Sequence, residues 1–275
     1  MLVDTHIHLI SSDRKKFPLN RFPHPGDEWI DSSPDVLEYL TMMEEAGVSK
    51  ALLVQPHAAY QTDNRYICSV SSKHPKITSV AIVNPTDPDC QKSLRQLVKN
   101  NVRGLRLFSI PTPAKSWIGS SETSWLWREA EKKGLVISVC VLPSEIQEIG
   151  RCAEKYPDQM IVVDHCGFAP IHDATNPATQ HLLALSQFPN VILKVTTLVI
   201  DDWINHKDSV FDLFPFLAGS FGSDRLVWGS DFAQTKDRTY KSLVNLGLAA
   251  MQSLGPSSEA PMASNAQRIW GLDKS

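Results

Sequence analysis

Eight short apolar runs, each followed by a helical segment, recur along the chain, and no other feature limits the fold as strongly. The runs are Leu2 to Leu9, Ala51 to Gln55, Ile77 to Val83, Val102 to Phe108, Leu135 to Leu142, Met160 to His165, Val191 to Thr196 and Leu226 to Asp231. Several are continuously apolar, as strands buried on both faces of a parallel sheet are. Between them the pattern predicts helices, the first opened by Ser33-Pro34 and ended by Gly47, the second finishing before Pro75. Others run from Asp87-Pro88 to Asn100, Ser121 to Lys133, Ser144 to Lys155, Pro177 to Gln187, Val210 to Leu217 and Lys236 to Met251. An extra helix from Ser257 to Trp270 closes the chain. This alternation predicts an α/β fold, a closed (β/α)8 TIM barrel forming one domain over residues 1–275. A doubly wound open sheet is the rival, but no Gly-rich dinucleotide loop follows the first strand.

The composition suits such a domain. Of 275 residues, 42% are hydrophobic and 21% charged, enough for a substantial core. A net charge of −3 without a basic run argues against nucleic acid as partner and for a small molecule. No basic-then-apolar leader opens the sequence, and no apolar stretch approaches the roughly 20 residues that cross a bilayer. Cys68, Cys90, Cys140, Cys152 and Cys166 are odd in number and lack CxxC spacing, which fits free thiols in a reducing cytoplasm. No surface stripe stands out as an interface, so a homo-oligomer stays open.

Barrel active sites lie at the C-terminal ends of the strands. The residues there are polar in a way the apolar runs are not. Strand one carries His6 and His8, which with Asp4 share one face if alternation is strict. Strand two ends in Gln55 with His57 beyond, strand four carries Arg106, and strand six ends in Asp164-His165. Strand seven carries Lys194 and strand eight ends in Asp231. The long loop from Ile10 to Ser33 is a candidate lid over this pocket, and the one from Phe168 to Asn176 helps shape it.

Three stretches carry a resemblance. Asp4-Thr5-His6-Ile7-His8, Val163-Asp164-His165-Cys166-Gly167 and Trp228-Gly229-Ser230-Asp231-Phe232 resemble the strand-one, strand-six and strand-eight motifs of the amidohydrolase superfamily. More narrowly they resemble its branch of lactonases acting on pyrone-dicarboxylate and sugar lactones. Gln55-Pro56, Asn101 to Arg106 and Asn265 to Leu272 are similar too. The resemblance implies a (β/α)8 barrel, hydrolysis at a carbonyl centre, and His6, His8, His165 and Asp231 facing the substrate. Many members hold divalent metals, zinc among them, and here His6, His8 and Asp231 could supply three ligands, with Cys140 a less favoured extra. The chain departs from the metal pattern in strand five, Val136 to Leu142, which has no histidine. Members of the branch also work without metal.

The expected chemistry is opening of a lactone, one bearing a carboxylate included. Asp231 would take a proton from water, and His6, His8 and His165, directly or through an ion, would stabilise the oxyanion. Arg106 would clamp a carboxylate, with Gln55, His57, Tyr60 and Arg65 as further substrate contacts. Blander roles stay open: Asp231 as a helix cap, Arg106 neutralising Asp4 or Asp231, Lys194 pairing with a carboxylate inside the barrel. His24, His74, His172, His181 and His206 read as loop or surface residues, and Trp125/Trp127 as helix packing. Decarboxylation of an aromatic or unsaturated acid is a second reading, and binding of an acidic ligand without turnover a third.

Overall fold

A computed structural model describes residues 1–21, 26–85, 87–109 and 118–272. Its strands are β1 (Leu2–Ile7), β2 (Val48–Val54), β3 (Ile77–Ile82), β4 (Val102–Phe108), β5 (Val136–Cys140), β6 (Ile161–Val163), β7 (Val191–Thr196) and β8 (Leu226–Gly229). They pair in parallel in sequence order, β1 to β8. The sheet closes where β1 meets the chain just beyond β8. There Asp231 N donates to His6 O at 2.9 Å and Ala233 N to His8 O at 3.2 Å, with a bridge between Ile7 and Phe232. The (β/α)8 barrel expected from the alternation is what forms.

The apolar runs divide by face. Val3, Leu52, Val54, Val80, Val136, Val162, Ile192 and Val227 cluster inside the lower barrel, while a larger cluster joins the strands to the helices. β4 contributes Gly104, where a Cβ would stand 3.3 Å from the Val80 side chain. Ala266, Ile269 and Trp270, from the helix Ser264–Trp270, join the inner cluster with Leu272 and close the barrel base. Polar side chains occupy the layer above.

Four sequence expectations need correction. β1 does not alternate strictly: Asp4 pairs with Ala51 but Ile7 with Leu53, so an extra β1 residue is accommodated in a bulge. Asp4 thus leaves the face of His6 and His8 and turns to the helix layer, where Oδ2 accepts from Tyr240 Oη at 3.1 Å. The first long helix, Val36–Glu45, is capped by Asp35 in a capping box with Glu38, leaving Ser33-Pro34 outside it. A helix at Thr197–His206 was not expected, because Thr197-Leu198-Val199-Ile200 continues β7 in composition without a Gly or Pro between. Finally, β6 ends at Val163, and Asp164–Phe168 form a 3-10 turn.

Gly247, inside the helix Tyr240–Met251, shows how tightly that layer packs. A Cβ there would lie 2.4 Å from Trp228 Nε1. Glycine within a helix ordinarily costs about 1 kcal/mol against alanine, whereas overpacking a core costs about 1–3 kcal/mol. We therefore expect Gly247→Ala to destabilise the protein despite its better helix propensity, by about 1 kcal/mol in urea unfolding. A gain in stability would show that the Trp228 ring has room to move.

Candidate active site

The polar residues of the strand ends meet around one buried core. His6 reaches the upper barrel because Gly229 faces it across the seam: a Cβ on Gly229 would lie 2.5 Å from His6 Cβ. His6 Nε2 and His8 Nε2 are 3.2 Å apart, and each lies 3.6 Å from Asp231 Oδ1. Asp231 leaves β8 in a left-handed conformation, φ 60°, one step after Ser230 N bonds to Asp4 Oδ1 at 2.9 Å. The same Asp4 oxygen accepts from His6 N at 3.0 Å, so Asp4 ties the two segments bearing His6 and Asp231.

His165 arrives by an unusual backbone. His165, Cys166, Gly167 and Phe168 all have positive φ, from 50° to 63°, a region that costs non-glycine residues free energy. This turn places His165 Nδ1 2.8 Å from Thr196 Oγ1 and Nε2 3.3 Å from Arg106 Nη2. His165 and His6 rings then lie 4.8 Å apart, centroid to centroid.

Asp164 is the centre of charge. Arg106 Nε donates to Oδ2 at 2.8 Å, and Lys194 Nζ pairs with Oδ1 at 2.9 Å, all three buried. Burial alone would raise the Asp164 carboxyl, yet Lys194, Arg106 and His165 hold it down at about 2. Burial pushes His8 and His165 down to about 3 and His6 well below its ordinary value, so the imidazoles are neutral. Asp231 moves the other way, to about 7, chiefly by burial. Arg106 and Lys194 offset Asp164 with one positive charge over, which ionised Asp231 balances; of the two cations, Arg106 lines the cavity above them and can meet an anionic ligand.

This cavity measures about 310 Å³. His8, Arg106, Cys140 and His165 line its base, and Trp29, Pro56, Phe108, Leu142, Phe168 and Leu198 make apolar walls. Trp29 comes from the expected lid loop, which places its ring 5.8 Å from that of His8. Residues 22–25 of that loop, His24 among them, lie outside the described residues.

Of the further substrate contacts expected, His57 lines the cavity, stacked on Phe108 at 4.5 Å. The others are engaged elsewhere. Gln55 Nε2 donates to the carbonyls of Gln61 and Asp63, both at 3.0 Å, and Tyr60 Oη accepts from Ser11 N at 2.9 Å. Arg65 pairs with Asp63 and borders a different cavity. Asp164 went unassigned in the sequence although it adjoins His165. Arg106 neutralises that residue rather than Asp4 or Asp231, and Lys194 does pair with a carboxylate inside the barrel. Burial raises the Cys140 thiol to about 12, so without a metal it is a neutral thiol at the cavity base.

The donors suit a divalent cation by spacing. Zinc bonds of about 2.0–2.1 Å at tetrahedral angles place neighbouring donors roughly 3.4 Å apart, close to the 3.2, 3.6 and 3.6 Å edges of the His6, His8 and Asp231 triangle. Both Asp231 oxygens are buried without a hydrogen-bond partner among the described residues, which a cation, water or substrate could supply. A second cluster, His172, Asp202 and His206, is more exposed, and its two imidazoles stack face to face at 3.7 Å.

Removing the Asp164 charge should be felt at once, since breaking a buried ion pair costs about 3–5 kcal/mol. We expect Asp164→Asn to lose about 3 kcal/mol in urea unfolding. A loss below about 1 kcal/mol would mean that Arg106 and Lys194 are compensated elsewhere.

Comparison with known proteins bears on all of this. A family model described as Amidohydrolase matches residues 3–272. An L-fucono-1,5-lactonase from Burkholderia ambifaria is 26% identical over 211 residues, covering 74% of this chain and 70% of its own. A 4-sulfomuconolactone hydrolase from Rhizobium radiobacter is 23% identical over 235 residues, 83% of this chain and 74% of that one. A Pseudomonas putida structure, of a protein proposed to be a 2-pyrone-4,6-dicarboxylic acid hydrolase, superposes with a TM-score of 0.82 at 21% identity, over 100% of this chain and 98% of its own.

Proposed function

The chain belongs to the amidohydrolase family, and from that premise we propose that it hydrolyses a lactone or related cyclic ester, a carboxylate-bearing one fitting best. One observation carries the reading: a buried carboxylate, Asp231, with no hydrogen-bond partner among the described residues, raised to about 7 by burial, beside His6, His8 and the cavity's Arg106. A base near working pH can take a proton from water and return it to the leaving group, worth about 10²–10⁴-fold. The relatives that act on lactones support the reaction class.

In this proposal the substrate lies between the apolar walls with its carbonyl directed down. Asp231 Oδ1 or Oδ2 accepts a proton from water as the water oxygen bonds the carbonyl carbon. Negative charge moving to the carbonyl oxygen is met by Arg106 and by the N–H edge of His6. His8 takes a different part from the one expected of it: its Nδ1 faces Val54 O at 2.9 Å, so Nε2 is an acceptor that holds the His6 N–H until the carbonyl oxygen takes that donor over. Arg106, at the cavity base, attracts a substrate carboxylate while remaining paired to Asp164. Collapse of the intermediate breaks the ring ester bond, and the protonated Asp231 returns its proton to the departing oxygen. A divalent cation held by His6, His8 and Asp231 would polarise the carbonyl and lower the pKa of water toward 7.

The experiment is turnover of a lactone panel, neutral and carboxylate-bearing, with ring-opened acid measured as product. Asparagine tolerates left-handed backbone, so Asp231→Asn keeps the φ of 60°. We expect kcat to fall about 10²–10⁴-fold in this variant. Undiminished turnover would remove Asp231 as base. Carbon dioxide in place of ring-opened acid would transfer the site to decarboxylation.

A further inference from the structure

Lys194 is fully buried in β7, behind the cavity lining as His6 and Asp231 are, and nothing in the proposed reaction uses it. A lysine there needs a reason, because replacing a buried ion pair by apolar packing is often neutral or stabilising. Its surroundings supply one. Nζ lies 2.9 Å from Asp164 Oδ1, 3.4 Å from His6 Nδ1 and 5.5 Å from the Trp270 ring centroid.

The hydrogen bonds leading to Lys194 have one consistent direction. Val54 O can only accept, so His8 carries its proton on Nδ1 and offers a lone pair at Nε2. The 3.2 Å contact between the two Nε2 atoms then needs the proton of His6. A neutral His6 with Nε2–H has a bare Nδ1, which requires a donor. Among the described residues the neighbours of that Nδ1 are Lys194, at 3.4 Å, and Asp164 Oδ1, at 3.9 Å, and of these Lys194 alone can donate. We infer that in the cation-free protein Lys194 is a positioning residue that, anchored by Asp164, fixes His6 as its Nε2–H tautomer and so aims a donor at Asp231 and His8; a cation on His6 Nε2 would require the opposite tautomer. The inference deepens the hydrolase reading and rests on it only for its kinetic consequence. Without Lys194 the remaining neighbour of Nδ1 is a carboxylate oxygen, which calls for the opposite tautomer and removes the donor from the reacting side.

Protein labelled with 15N in its histidines reports this directly, in long-range proton–nitrogen correlation spectra with His6 assigned by its loss in His6→Gln. In chelator-treated, metal-free protein wild-type His6 is expected as the Nε2–H tautomer, and Lys194→Met should shift it to Nδ1–H. With a lactone substrate, the variant should lose about 10²-fold in kcat, the scale of one oxyanion donor, with little change in KM. A wild-type His6 protonated at Nδ1 overturns the inference, and this measurement stands even if the variant fails to fold. An unchanged tautomer in folded Lys194→Met overturns it equally. A shifted tautomer in a protein that turns over no lactone supports the inference and refutes the hydrolase reading.

Discussion

The upper barrel depends on one arrangement of charge: Asp164 held between Arg106 from β4 and Lys194 from β7. Each group alone would be prohibitively expensive to bury, and together their attraction offsets desolvation. The arrangement does more than neutralise. Arg106 extends to His165 and Lys194 to His6, so both histidines are held by partners of a carboxylate that does not line the cavity. An apolar layer would hold the barrel as well but would leave the imidazoles free to turn.

Much of this was readable before any coordinates. Apolar runs that finish in His6, His8, His165 and Asp231 announce a polar mouth over an apolar tube, because polar side chains at strand ends must converge if the sheet closes. Parity carried the reading less far. One bulged residue in β1 moves Asp4 to the opposite face, and nothing in Leu2 to Leu9 signals it. The left-handed run from His165 to Phe168 ends β6 early, and so Asp164, rather than only its neighbour, comes to face the interior. Gln55, Tyr60 and Arg65 sit near a strand end as substrate contacts would, yet the backbone of Gln61 and Asp63, Ser11 N and the Asp63 carboxylate engage them first. The cavity walls, Trp29, Leu142, Phe168 and Leu198, come from connections whose conformations follow from tertiary contacts, not local periodicity.

Asp4 shows how a residue outside the site still sets it. Its oxygens bond His6 N, Ser230 N and Tyr240 Oη, and Tyr240 accepts in turn from Tyr39. The first strand, the eighth and two outer helices are thereby bound at one point. Gly229 completes the seam, since a larger residue could not sit beside His6. The spacing of His6 and Asp231, on which base catalysis or cation binding equally depends, is thus set from behind.

The plug of Ile269 and Trp270 carries a kinetic implication. With the barrel floor stoppered, the described cavity, walled by Trp29 and Phe168, lies at the opposite end of the barrel. The proposed ring opening would convert an ester into an acid, so what leaves would be more negative than what came in, while Arg106 stays positive beneath it. In that reaction, escape of the extra anion, against the pull of the same guanidinium that favoured its precursor, would be the natural bottleneck.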